Sequence, residues 1–459
     1  MFVRIVETRS GGKTHRYLRI VENYRENGKI RQRVLWNLGN LDKIRHKLPG
    51  LTKSLSNHSG EKFVALKGLR TEAVREYGNM LLLKTTWDRL DVEKVLGSNR
   101  AAKRMKPYLM AVTFHHLLNP VAPPPVAEWL DRVYLPEFYG PSRSGKARLN
   151  DRVLGLLEYL ERDGRGSGLR IISGAARKRT SSFCYIIKLK INALGARGNP
   201  LRQKESLLAT LTTGGVPWAY GVYDGGNPLE FVRGLLTDNV LGQFIKGRKT
   251  TFVSSRQTIG DGAVNLLNRE GIPYIAFINR WSKRHIKRPT CRAGRGHVAY
   301  RIKTGNKKGP RVYVVSGKNA RSRKRGNVEF ALKTNMAARA FLTKTVRARK
   351  ELHHLEDFFG NITSPPGVLP RVEHKRGYIF ICLLAYLLKR ALDRGLSRTR
   401  TGNRLTHLEL LDGLKDIKLV TNTASGRRIY STTKIPRQMR GLLRPFGVKI
   451  PRAPMDLPR

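Results

Sequence analysis

Residues 250–278 read TTFVSSRQTIGDGAVNLLNREGIPYIAFI. Two β-rich runs, Thr250–Ser255 and Ile272–Ile278, bracket a segment that places Ala263, Leu266 and Leu267 on one helical face. A strand that returns to its neighbour through a helix belongs to a layered α/β unit, because the helix covers the sheet face it packs against. Upstream lie three more apolar runs, Phe183–Ile191, Leu207–Thr213 and Trp218–Tyr223. Gly214-Gly215 joins the last two, and paired glycines accept the positive φ of a tight hairpin turn. A meander of three strands, then strand, helix and strand, predicts an α/β fold with one mixed sheet and flanking helices.

Before this region, Glu161–Ser182 is rich in Gly, Ser, Arg and Lys and reads as a loop or boundary. Earlier still, residues 64–160 turn helical: Leu81, Leu82, Leu83, Trp87, Leu90 and Leu96 fit one or two amphipathic helices, and Tyr108–Leu118 another. Pro120–Pro125 breaks helix and forms a rigid joint. His115-His116, set among apolar residues, are ordinary packed or surface histidines rather than metal ligands. At the start, Tyr17–Tyr24 and Lys29–Trp36 flank Asn27-Gly28, a β-hairpin signal. Its Arg19, Arg25, Arg31 and Arg33 either line one face against phosphates or act as solvated edge charges that block aggregation.

Downstream, Asn279–Arg325 is very basic and is expected to be a β-rich insertion with charged loops. Lys283, Arg284, Arg321, Arg323, Lys324 and Arg325 are its candidate phosphate contacts, a solvated loop being the alternative. Helices resume at Ala337–Phe359 and Tyr378–Arg394, and the tail carries a short helix (Leu405–Leu414) and a hairpin around Ser425-Gly426. No internal repeat is visible.

Lys and Arg number 89 against 33 Asp and Glu, a net charge of +56. Such a surface repels itself until it meets a polyanion, and nucleic acid is the expected one. Arginine-rich composition without a dedicated binding face is the plainer alternative. The three cysteines, Cys184, Cys291 and Cys382, are too far apart for a zinc spacing and odd in number, which points to a reducing compartment. Tyr378–Leu388 is too short to span a bilayer, and Met1–Arg9 has no signal-peptide pattern, so an intracellular protein with no membrane partner is expected. The chain carries no P-loop, Cys/His metal set or nucleophile elbow, and Gly294-Arg295-Gly296 does not sit in a dinucleotide-loop context. What remains is carboxylate chemistry: enzymes that cut and join DNA with two divalent ions gather about three carboxylates at one sheet edge.

Several stretches resemble a known family. Tyr17-Leu18-Arg19-Ile20-Val21-Glu22-Asn23-Tyr24-Arg25, Gly28–Val34 and Asn37-Leu38-Gly39 are similar to the N-terminal hairpin of insertion-sequence DDE transposases of the insertion-sequence-four-like kind. Tyr77-Gly78 with Trp87, Leu90 and Leu96 resembles the helix that follows. Val253-Ser254-Ser255-Arg256 with Glu270–Ile275 resembles the second-acid segment apart from the acid. Leu332–Asn335 and Leu355-Glu356-Asp357-Phe358-Phe359 look like the run-up to the third acid and its surroundings, and Arg376–Ala385 like the helix beyond.

The resemblance implies an RNase H-like catalytic domain with a β insertion between the second and third acids, and Mg2+ or Mn2+ as cofactor. Glu356 takes the third-acid position and would be a metal ligand, a plain surface charge being the alternative. The first and second acids would stand at Ile186 and Ser255, neither of which can neutralise divalent ions. Arg349, Gly360 and Thr363 also depart from the family pattern around the third acid. Asp261 is a substitute candidate, although an Asp at a helix start commonly just faces the dipole.

The expected organisation is an N-terminal hairpin and linker (1–60), a helical DNA-end-binding region (61–180), and a first part of the RNase H-like domain (181–278). A basic insertion (279–330), the second part of that domain (331–395) and a basic tail (396–459) follow. The expected function is a DDE transposase impaired in catalysis, acting on double-stranded DNA at element ends and targets as a homodimer. Its expected location is the prokaryotic cytoplasm, on the nucleoid. A non-enzymatic DNA-binding protein on the same scaffold is the rival, and a basic RNA-associated structural protein the third class.

Overall fold

The computed structural model describes residues 1–58, 69–90, 100–120, 123–139, 149–162, 169–171, 183–189, 191–194, 200–201, 206–223, 227–238, 241–247, 250–278, 286–293, 297–302, 311–316, 328–336, 338–360, 362–363, 375–399, 405–424 and 427–449. Two compact units emerge, one from Met1–Glu72 with Thr421–Ile429, the other from Ala73–Val420 with Tyr430–Arg459.

The first unit is built on an antiparallel sheet of β1 (Phe2–Ser10), β2 (Lys13–Glu26) and β3 (Lys29–Asn40), in that spatial order. Asn27 (φ 49°) and Gly28 (φ 74°) make the β2–β3 turn, the left-handed pair that matches the twist of a two-residue hairpin. β1 adds a third strand to the expected hairpin. After β3 come α1 (Leu41–Ile44), capped by the Asn40 side chain, and α2 (Leu48–His58). β4 (Arg70–Glu76) leads into the second unit.

There the helices α3 (Gly78–Leu90), α4 (Arg100–Leu118), α5 (Val126–Arg132) and α6 (Leu149–Arg162) precede the sheet. The strands and helices that follow are β5 (Leu169–Ile171), β6 (Phe183–Leu189), β7 (Ile191–Leu194), β8 (Pro200–Leu201), β9 (Ser206–Thr213), β10 (Val216–Tyr223), α7 (Pro228–Thr237), α8 (Leu241–Gly247), β11 (Thr251–Ser255), α9 (Arg256–Arg269) and β12 (Tyr274–Ile278). β13 (Ile286–Ala293), β14 (His297–Ile302), β15 (Arg311–Ser316) and β16 (Val328–Thr334) form the insertion. Then come α10 (Ala338–Phe359), β17 (Ile362–Thr363), α11 (Lys375–Leu396), α12 (His407–Leu414), β18 (Lys418–Ala424), β19 (Arg427–Thr432) and α13 (Arg437–Leu443).

The large sheet has ten strands in the order β13-β14-β15-β16-β12-β11-β6-β9-β10-β5. β6, β9 and β10 are an antiparallel meander, whereas β11 runs parallel to both β6 and β12. All five expected strands therefore lie in one mixed sheet. The Glu161–Ser182 stretch, read as a loop, contributes β5 at the edge. The insertion does not stand apart: β16 pairs antiparallel with β12 and continues the sheet.

Side-chain alternation sends residues to two cores. On one face, Cys184, Ile186, Phe252 and Tyr274 pack with Phe231, Val232, Val264 and Leu267 from α7 and α9. On the other, Tyr185, Ile187, Val253 and Phe277 pack with Leu352, Leu355 and Phe359 of α10 and with the long apolar side of α11. That larger core extends through α3–α6, so the helical region expected before the sheet is one of its walls. Tyr378–Leu388 is fully inside it, and among the described residues no helix is long and apolar enough to cross a membrane. His115 and His116 are buried here: His115 Nε2 donates to the Pro124 carbonyl (2.9 Å), and His116 Nδ1 shares a hydrogen bond with Tyr378 OH (3.1 Å). Burial lowers both imidazoles to about 4, helped at His116 by the charge of His115.

Candidate functional site

The parallel pairing of β6 and β11 brings sequence-distant residues side by side. Ile186 is level with Ser254, whose Oγ donates to the Ile186 carbonyl at 2.6 Å. Ser255 ends β11 and precedes α9, and its Oγ shares a 2.8 Å hydrogen bond with Thr258 Oγ1. Across β12, Ser255 pairs with Phe277, and the Arg349 guanidinium lies over the Phe277 ring at 5.1 Å.

α10 crosses this same face. It runs alongside β6, since Tyr185 OH meets Glu351 on the helix while Ile191 pairs with Ile362 beyond its end. Glu356 lies on the same helix and shares its stripe with Arg349, two turns away. It is half-buried, and desolvation raises its pKa against the opposing charges of Arg349 and His353.

The other site candidates are placed differently. The Ile186 side chain belongs to the α7/α9 core, on the sheet face away from α10. Asp261 follows a break in α9 at Gly260 (φ 68°, ψ 170°), is half exposed, and pairs with Lys333 Nζ at 3.4 Å. It too stands on the helix of the opposite face.

One acidic residue absent from the sequence reading is buried beside the strands. Glu351 is 7% exposed and accepts hydrogen bonds from Tyr185 OH (2.7 Å) and Arg347 Nε (3.0 Å). Burial, reinforced by the Glu351 charge, pushes the Tyr185 phenol far above its ordinary range. The Arg347/Glu351 spacing of four was the visible sign of a helical ion pair, but burial of its carboxylate depends on Tyr185, 166 positions earlier.

A divalent ion does not fit these donors. Ile186 has no side-chain oxygen, Ser255 offers one neutral oxygen engaged with Thr258, and Glu356 is a single carboxylate. Among the described residues no group of three or more His, Cys, Asp or Glu side chains converges as a metal site.

Of the candidate DNA contacts, Lys283, Arg284, Arg321, Arg323, Lys324 and Arg325 lie outside the described residues. Arg19, Arg31 and Arg33 do not share a face. Arg33 donates through Nε and Nη2 to Glu22 Oε2 (3.0 and 2.7 Å), and Arg31 pairs with Glu26 at 3.0 Å. Arg19 points to the other side, where its Nε is enclosed without a hydrogen-bond partner among the described residues.

These features define a basic protein whose small antiparallel sheet precedes a layered α/β body. Residues 3–66 match the description IS1634 family transposase, N-terminal domain. That match covers the three-stranded sheet and the helices after it, and supports an insertion-sequence transposase. No curated protein matches the chain.

Proposed function

We propose that this chain is an insertion-sequence transposase of the DDE type, with an RNase H-like body, that binds double-stranded DNA but does not cleave it. The carrying observation is the β6–β11–α10 arrangement. A meander followed by strand, helix and strand supports the RNase H-like reading, and Glu356 belongs to α10, the helix that covers this face of the sheet. On the α10 side of the sheet, β6 and β11 present Ile187 and Ser255 at this end, so neither strand position offers a carboxylate there.

Two divalent ions about 4 Å apart repel each other strongly unless anionic oxygens bridge and surround them. Without metal ligation, what the residues can do is hold DNA through cations. The rival, a DNA-binding protein that merely reuses the scaffold, also predicts no cutting, but predicts no preference for element ends.

The test incubates the full chain and a Glu356→Gln variant with Mg2+ or Mn2+ and a duplex carrying the terminal sequences that flank the gene. The expected result is retained duplex binding, preference for those termini over random sequence, and no strand cleavage by either protein. Cleavage by the natural chain that vanishes in the variant would overturn the impaired-site reading and make Asp261 the first residue to re-examine.

A further inference from the structure

The N-terminal sheet separates its charges by face, and this assigns its two sides different tasks. Because side chains alternate along a strand, the registers of β1, β2 and β3 sort every residue to one face or the other. Irregularities at Leu35 and Leu38 keep the two sets consistent through β3. The sheet's carboxylates, Glu7, Glu22 and Glu26, all fall on one side, with Arg31 and Arg33 paired to two of them. Exposed apolar residues lie on both sides, Val3, Ile5 and Trp36 on this one and Phe2, Ile30 and Val34 on the other.

The opposite side has arginines and no acid from any of the three strands. Arg4 stands directly across from Arg19, and Arg25 lies further along β2. Between these positions, Gln32 Nε2 donates to Asn23 Oδ1 at 3.0 Å, and Arg4 donates to Gln32 Oε1, a contact that itself requires these side chains to share a face. Arg4, Asn23, Arg25 and Gln32 are exposed.

We infer that this acid-free face docks in the major groove of duplex DNA. Arg19 and Arg25 are six residues apart on one strand, about 20 Å, which spans a groove about 12 Å wide. Arg4 and Arg19 would then meet phosphates on one border and Arg25 on the other, leaving the Asn23 and Gln32 amides over base edges. Amides of this kind read adenine through paired donor and acceptor atoms. Double-stranded RNA is disfavoured, because its deep, narrow major groove does not admit side chains.

The inference rests on the proposed DNA-binding function and is tested on the full chain. Binding to a random duplex of about 20 base pairs is followed by fluorescence anisotropy as salt rises. Replacing Arg4, Arg19 and Arg25 with Gln should reduce the log–log salt slope by about 2.7, about 0.9 per phosphate contact. Arg31→Gln with Arg33→Gln should leave it unchanged, since those guanidinia already face carboxylates. A second measurement needs no variant: bound duplex should protect Arg25 of the natural chain from phenylglyoxal, and leave Arg31 reactive. A natural chain that binds no duplex would sink the functional reading and this one together. Binding with an unchanged slope in the triple variant, or with Arg31 protected instead of Arg25, would overturn the face alone. Equal competition by structured RNA would overturn duplex DNA as the occupant.

Discussion

Glu351 is held by two donors of unequal standing. Tyr185 is fully buried, while the Arg347 side chain is 55% exposed, so only the tyrosine hydroxyl has no recourse to water. Tyr185→Phe removes a hydrogen bond to a buried carboxylate and is expected to cost about 2 kcal/mol in urea denaturation. Glu351→Ala should cost more, about 3 kcal/mol, because it strands the phenol. Arg347→Ala should cost under about 1 kcal/mol. Equal losses for Arg347→Ala and Tyr185→Phe would show that the pair with Tyr185 is not special.

The buried histidines set a pH dependence at the same scale. His115 and His116 stay neutral in the folded chain down to about 4, whereas in the unfolded chain they take protons near the ordinary imidazole value of 6.5. Their depressed folded values mean that the unfolded state binds more protons below 6.5, so stability falls as pH drops from about 6.5 to about 4 and then levels. Each histidine contributes at most about 3 kcal/mol to that fall. Denaturation at neutral pH and at about pH 5 should show the loss, and His115→Asn with His116→Asn should shrink it. An unchanged pH profile in that double variant would remove the pair as its cause.

At the scale of elements, the α6–α11 crossing turns on one glycine. A Cβ on Gly377 would lie 2.9 Å from the Leu157 carbonyl oxygen and 3.2 Å from Leu160 Cβ. Gly→Ala inside a helix ordinarily stabilises by roughly 0.5–1 kcal/mol. Here backbone must move, so Gly377→Ala is expected to lower stability by about 1–3 kcal/mol, as overpacking does. A higher denaturation midpoint would refute this close approach.

The elements also show what could be read in advance. The five central strands were legible because β-rich runs ended at Gly-Gly or passed into helical periodicity, and the Asn27-Gly28 hairpin because its turn demands those residues. β1 was not, since its apolar residues are exposed on both sides and its partner is fixed only by pairing. Helix α10 was expected, since its apolar residues recur at helical spacing. Which face Ile186 and Ile187 take was not legible from a family-like motif, because a one-residue step reverses a strand side chain. The same limit made Arg19, Arg31 and Arg33 look like one group when the sheet divides them.

At the scale of the whole molecule, a net charge of +56 opposes compactness. Raising salt from about 0.05 to about 0.5 M shortens the screening length from well above to well below 10 Å. The Tm is therefore expected to rise by several degrees over that range, and to rise further with saturating duplex DNA by mass action. A Tm that falls with salt would mean that local ion pairs outweigh the net repulsion.

The insertion has a separate consequence for anyone who would shorten this chain. β16 occupies the hydrogen-bonding edge of β12, and β15, β14 and β13 follow outward. Excising residues 279–336 would strip Ile275–Ile278 of its partner and present an open row of amides and carbonyls flanked by Phe277. Such an edge recruits another strand. The trimmed protein should polymerise on itself, whereas in the whole chain the sheet ends at β13, where Pro289 and two register shifts break the ladder and act as a stopper on its growth.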